Sequence, residues 1–161
     1  MGKEMSRRSF LKAGTAAAIG LSMTPGNVFA NVDQKKKKKN AKDAKLKILG
    51  VGIGGRGASV LRGLETEDFI GLCDVDWKYA DPIFKRYPNA KKYNDYKVMF
   101  AEMLDQADAV VVATADHTHA IIAAEAIAAG KHVYCEKPLT HSVYESRLLT
   151  KLAAKHKVAT Q

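Results

Sequence analysis

From Leu46 onward, short apolar runs alternate with longer segments in which apolar residues recur every three or four positions. Apolar runs of about four to eight β-prone residues have strand length, whereas the longer spacing marks helices with one buried side. The pattern predicts six strands, at Leu46 to Val51, Phe69 to Cys73, Lys92-Tyr93, Ala109 to Ala113, Lys131 to Cys135 and Val158 to Thr160. Between them it predicts helices at Gly55 to Leu64, Trp77 to Arg86, Tyr96 to Leu104, His119 to Ala129 and Val143 to Lys157. End signals agree. Asp95 precedes the third helix, Gly130 follows the fourth, and Ser142 precedes the fifth with Glu145 three positions on, the spacing at which serine and glutamate satisfy orphan amides reciprocally. In the fifth helix Tyr144, Leu148 and Leu152, with Leu149 beside them, read as one buried stripe. Met99 and Met103, four apart, read as core filler. Strands alternating with helices specify an α/β fold, a parallel sheet with helices on both faces.

The 161 residues suffice for one ordinary domain, and 47% apolar with 27% charged residues exclude wholesale disorder. The formal charge of +9 would suit a nucleic-acid binder, but its placement does not. Residues 1–30 carry Lys3, Arg7, Arg8 and Lys12 against Glu4, and Lys35 to Lys39 add five more cations. From Ala41 onward 17 basic side chains face 15 acidic ones, so the folding part offers no electrostatic footprint for DNA or RNA. Two cysteines, Cys73 and Cys135, are too few for a disulfide scaffold and lack metal-ligand spacing. No apolar stretch nears the roughly 20 residues that span a bilayer.

The first thirty residues read as an address. Ser6-Arg7-Arg8-Ser9-Phe10-Leu11-Lys12 precedes a short apolar segment, Ala13 to Met23, and then Val28-Phe29-Ala30. Charged region, apolar region and small cleavage residue stand in the order of a twin-arginine export signal. That signal resembles those of a route known for exporting folded proteins, often with a cofactor inside, so the export machinery is an expected partner and the periplasm or beyond the expected location. Residues 31–45 are lysine-rich without hydrophobic periodicity and read as a solvated linker, which leaves residues 46–161 as the folded domain.

Leu46 to Gly57 runs from a strand through Gly52-x-Gly54-x-x-Gly57 into a helix. Gly52 permits the tight turn, Gly54 lets a diphosphate approach the backbone, and Gly57 lets helix and strand pack closely; Gly55 and Arg56 complete the turn. The anion would meet amides at the positive end of the helix dipole. Asp74 ends the next strand 22 residues after Gly52, where an adenosine ribose needs an acceptor for its hydroxyls. This is a Rossmann-type dinucleotide site. The aspartate repels a ribose 2′-phosphate and favours NAD, while Arg56 and Lys78 leave NADP open.

Val111-Val112-Ala113-Thr114-Ala115-Asp116-His117-Thr118-His119, Cys135-Glu136-Lys137-Pro138-Leu139, the glycine turn and Cys73-Asp74-Val75-Asp76 together resemble the N-terminal domain of the glucose-fructose oxidoreductase and inositol dehydrogenase (Gfo/Idh/MocA) family. The resemblance covers about Lys45 to Gln161. It implies that Lys137 lies beside the nicotinamide as the catalytic group, steadying charge on a substrate oxygen. It further implies that Glu136 lies near the nicotinamide ribose, that Pro138 fixes the turn, and that Thr114 and His119 border the cofactor. Ala115 stands where the family carries proline, which predicts a looser loop. His117 and His119 lack a third metal ligand nearby, and Trp77 reads as a packing residue rather than an adenine neighbour. In strand order 3-2-1-4-5-6 the two cysteines end strands three inter-strand steps apart, about 14 Å, too far for a disulfide.

Family members carry a second α/β domain that shapes the substrate pocket, and this chain is read as lacking it. Three functions follow: an exported oxidoreductase acting on a sugar or polyol, an NAD-dependent glycosidase of the same fold, or a nucleotide-binding module without turnover. An uncovered sheet edge leaves self-association open.

Overall fold

The computed structural model describes residues 44–161, so the twin-arginine leader and nearly all of the linker lie outside the described residues. The chain alternates β1 (Lys47–Val51), α1 (Gly55–Gly63), β2 (Asp68–Cys73), α2 (Trp77–Arg86), β3 (Lys91–Tyr93), α3 (Tyr96–Met103), β4 (Ala109–Val112), α4 (His119–Ala128), β5 (His132–Cys135) and α5 (Val143–His156). Short 3-10 turns at Leu104–Gln106 and Asp116–Thr118 join α3 to β4 and β4 to α4.

The strands pair in the order β3-β2-β1-β4-β5, all parallel. Order reverses between β1 and β4, because the chain crosses back over β1 and β2 after β3. Helices α1 and α2 therefore cover one face and α3, α4 and α5 the other, each over its own apolar cluster. The period-two geometry of a strand feeds both. On β4, Val110 and Val112 point into the α3–α5 layer while Val111 points into the α1–α2 layer.

Capping accounts for the helix starts. Asp95 accepts from the Lys97 amide at 2.8 Å. Ser142 accepts from the Glu145 amide at 3.3 Å while the Glu145 carboxylate accepts from the Ser142 amide at 2.8 Å, the reciprocal box expected at α5. Gly130, with φ +76°, turns the chain out of α4.

Two expectations need correction. Among the described residues the sheet has five strands, not six: the segment at Val158 to Thr160 reaches only a single bridge, Val133 to Thr160. Ala159 and Gln161 do exchange backbone hydrogen bonds with Val133 at 3.0 Å, but one bridge does not make a ladder. The buried stripe of α5 is also misplaced. Leu149 is buried and Leu152 packs beside it, whereas Tyr144 is 74% exposed and Leu148 is at the exposed side of the helix. Positions 144 and 148 are centred about 90° around the axis from the line through 149 and 152, and α5 meets α4 with the latter line.

Candidate functional site

Parallel α/β sheets open a crevice where strand order reverses, at the carboxyl ends of the strands. Here it is a cavity of about 640 Å³, lined in part by Gly52, Gly54, Asp74, Tyr79, Thr114 and Ile121. That volume lies within the usual range for small-molecule sites.

Whether the turn fits a dinucleotide can be read from its own atoms. Gly52 has φ +76°, and a Cβ there would lie 2.7 Å from the Ala113 carbonyl carbon and the Thr114 amide. At Gly57 a Cβ would lie 1.9 Å from the Gly52 carbonyl oxygen. Side chains at either position would force β1, α1 and the loop after β4 apart. The glycines thus draw the first turn of α1 tightly against the strand ends, leaving amides at the head of the helix without intrahelical partners. The residues present fit a diphosphate.

Asp74 is fixed beside this turn. Its Oδ2 accepts from the Gly54 amide at 2.9 Å and its Oδ1 from the Asp76 amide at 3.0 Å. The carboxylate is part-buried and faces the cavity, so remaining lone pairs can receive ribose hydroxyls. Arg56 pairs with Glu136. Its Nε and Nη2 lie 2.9 and 2.8 Å from Glu136 Oε1, joining the head of α1 to the segment after β5. Glu136 is 5% exposed and also accepts from the Tyr134 hydroxyl at 3.3 Å. The Arg56 hydrogen bond holds its carboxyl below the usual carboxylate range, outweighing the opposite effect of burial. Lys137 follows at the same edge of the sheet, exposed, its ammonium in no ion pair among the described residues. The Lys137–Pro138 peptide is cis.

His119 is buried, with Nδ1 2.7 Å from the Pro138 carbonyl oxygen and Nε2 3.0 Å from that of Thr114. It staples the loop after β4 to the loop after β5. Thr114 lines the cavity, and its hydroxyl lies 2.7 Å from that of Thr118. Ala115 itself has φ −69° and ψ 145°, a proline-like backbone, and its carbonyl accepts from the Thr118 amide at 2.9 Å. His117 is exposed, and no group of three or more His, Cys, Asp or Glu side chains placed to hold a metal occurs among the described residues. Trp77 packs on Phe84, ring centroids 5.4 Å apart, and does not line the cavity.

Both cysteines are free and buried. The register runs Cys73–Val51–Val112–Cys135 across the sheet, three strand spacings as expected, or about 14 Å. Burial pushes the Cys73 thiol up to about 12 and the Cys135 thiol to about 11, so both stay protonated and unreactive near neutral pH.

Sequence reasoning missed Tyr79 and the Arg56–Glu136 pair. The pair spans 80 residues and has no local signature. Tyr79 had one: aromatic residues at 77 and 79 of a single helix lie about 200° apart, so both cannot face the same core.

A glycine turn at the head of a helix, an acid at the end of the second strand and a cleft at the reversal of a parallel sheet define a dinucleotide-binding domain. The chain belongs to the Gfo/Idh/MocA family, described as an oxidoreductase family with an NAD-binding Rossmann fold, which matches residues 45–161. Inositol 2-dehydrogenase of Acidothermus cellulolyticus is 36% identical over 103 residues, covering 62% of this chain and 30% of that enzyme. The α-N-acetylgalactosaminidase of Shewanella oneidensis is 26% identical over 159 residues, covering 86% of this chain and 35% of that enzyme. Among solved structures, the WlbA dehydrogenase of Chromobacterium violaceum, in complex with NADH and UDP-GlcNAcA, superposes with a TM-score of 0.63 at 26% identity, covering 74% of this chain and 35% of that one. The chain thus spans about a third of the length of these relatives.

Proposed function

We propose that this chain is the nucleotide-binding part of an exported, NAD-dependent oxidoreductase acting on a sugar or polyol. The observation that carries the reading is the glycine turn with Asp74 bonded to its Gly54 amide, at the same sheet edge as Lys137. Bound NAD supplies the hydride acceptor. The turn seats the diphosphate and Asp74 receives ribose hydroxyls. Lys137 presents a cation to the substrate oxygen, favouring the charge that grows there as its proton leaves. Arg56 holds Glu136, the residue preceding Lys137, in place. Free NAD is scarce outside the cytoplasm, so a leader at residues 1–30 fits a nucleotide carried out inside the folded protein.

A second reading has support of its own: the glycosidase relative aligns over more of this chain than the inositol dehydrogenase does, 86% against 62%. Oxidation of the sugar, elimination of the glycosidic leaving group, addition of water and re-reduction, all on one retained nucleotide, would then leave net hydrolysis.

Titration calorimetry on the 161-residue chain should show heat with NAD⁺, and Asp74→Ala should weaken NAD⁺ about tenfold while weakening NADP⁺ less. No heat with either pyridine nucleotide would sink the reading, and equal losses would remove Asp74 from the ribose. Exported protein should carry nucleotide, and its reduction by free sugars or polyols supports the oxidoreductase. Glycoside cleavage with no net redox change supports the hydrolase.

A further inference from the structure

Tyr79 lies where no core needs it. It sits in the first turn of α2, its amide donating to Asp76 Oδ1 at 2.9 Å, and its side chain is 63% exposed yet lines the cavity beside Asp74. A Cβ built on Gly54 would lie 2.5 Å from Tyr79 Cδ1, and one on Gly55 would lie 2.6 Å from its hydroxyl oxygen. The ring therefore runs along the glycine turn, in contact with backbone that carries no side chain of its own. A short relay fixes its place: Gly54 bonds Asp74, Asp74 bonds the Asp76 amide, and Asp76 caps Tyr79.

On the reading that this turn and Asp74 hold the adenosine half of a pyridine nucleotide, we infer that Tyr79 sets the choice between NAD and NADP. Its ring lies over Gly54 and Gly55 in the cavity that Asp74 also lines, taking up room that a 2′-phosphate would need. Charge alone is a weak discriminator here, because Asp74 is only part-buried and solvent screens it. Bulk adds what charge lacks. A phosphate also needs a cation, and Arg56, the nearest in the turn, is held by Glu136. Lys78, exposed and next to Tyr79, is left as the one basic group in the first turn of α2. Removing the ring opens room for a phosphate that Lys78 can meet.

The test is calorimetric titration of NAD⁺ and NADP⁺ into the full chain and its Tyr79→Ala and Tyr79→Phe variants. Tyr79→Ala should narrow the affinity ratio between the two nucleotides about tenfold, chiefly by tightening NADP⁺, while Tyr79→Phe keeps the ratio within about twofold. An unchanged ratio in Tyr79→Ala overturns the inference. So does an equal loss for both nucleotides, which would assign the ring to adenine or diphosphate. Wild-type protein that binds neither nucleotide overturns the underlying reading along with it, whereas wild-type binding of NAD⁺ with an unmoved ratio overturns the Tyr79 role alone.

Discussion

A buried carboxylate survives in a fold only where its charge is answered, and Glu136 is answered by Arg56, Tyr134 and the Lys137 amide. Because the Arg56 hydrogen bond lowers the Glu136 pKa, its contribution to stability is full above the ordinary carboxylate range and fades as pH falls through the lowered value. Arg56→Met should therefore destabilise the protein most near neutral pH, the gap to wild type closing as pH falls below the ordinary carboxylate range. Chemical denaturation across that range reads it directly, and a gap that does not vary with pH would show that the guanidinium matters only as packing. The same residue explains what local sequence can and cannot disclose. Arg56 was legible as part of a glycine turn, where a phosphate could have claimed it; its partner stands on the segment after β5, chosen by the strand order rather than by neighbours in the chain.

At the level of elements, the loop after β4 shows how backbone shape outlasts a substitution. Ala115 keeps φ −69° and ψ 145°, and its amide donates no hydrogen bond among the described residues. Ala115→Pro should fit without strain and stabilise by about 0.4–1 kcal/mol by restricting the unfolded chain, raising the melting temperature by about 2–6 °C. A lower melting point would mean that the loop needs a freedom the ring denies. Helix starts and the first five strands were readable from capping residues and apolar runs, because those signals are local. The face of α5 was not. Tyr144 and Leu148 repeat at helical spacing as well as Leu149 and Leu152 do, and only the docking of α5 on α4 decides which line is covered. The segment at Val158 to Thr160 was likewise apolar enough for a strand, but pairing is a property of two segments, and only one bridge to β5 forms.

For the molecule as a whole, the legible part was the plan: a doubly wound parallel sheet, a cleft at its carboxyl edge, and an acid and a lysine facing that edge. What the plan left open was which side chains occupy the cleft walls: Tyr79 lines the cleft, whereas His119 lies buried outside that lining and joins the loops after β4 and β5. The central strands also bind the halves to each other. Leu49 and Val51 on β1 enter one apolar layer and Ile48 the other, just as the valines of β4 divide between them. Neither layer of helices can peel away without stripping the opposite layer of its footing, so residues 44–161 should lose their structure in one concerted event. Scanning calorimetry of the chain should record a single peak whose van't Hoff and calorimetric enthalpies agree, and two resolved peaks would mean that the layers come apart like separate leaves.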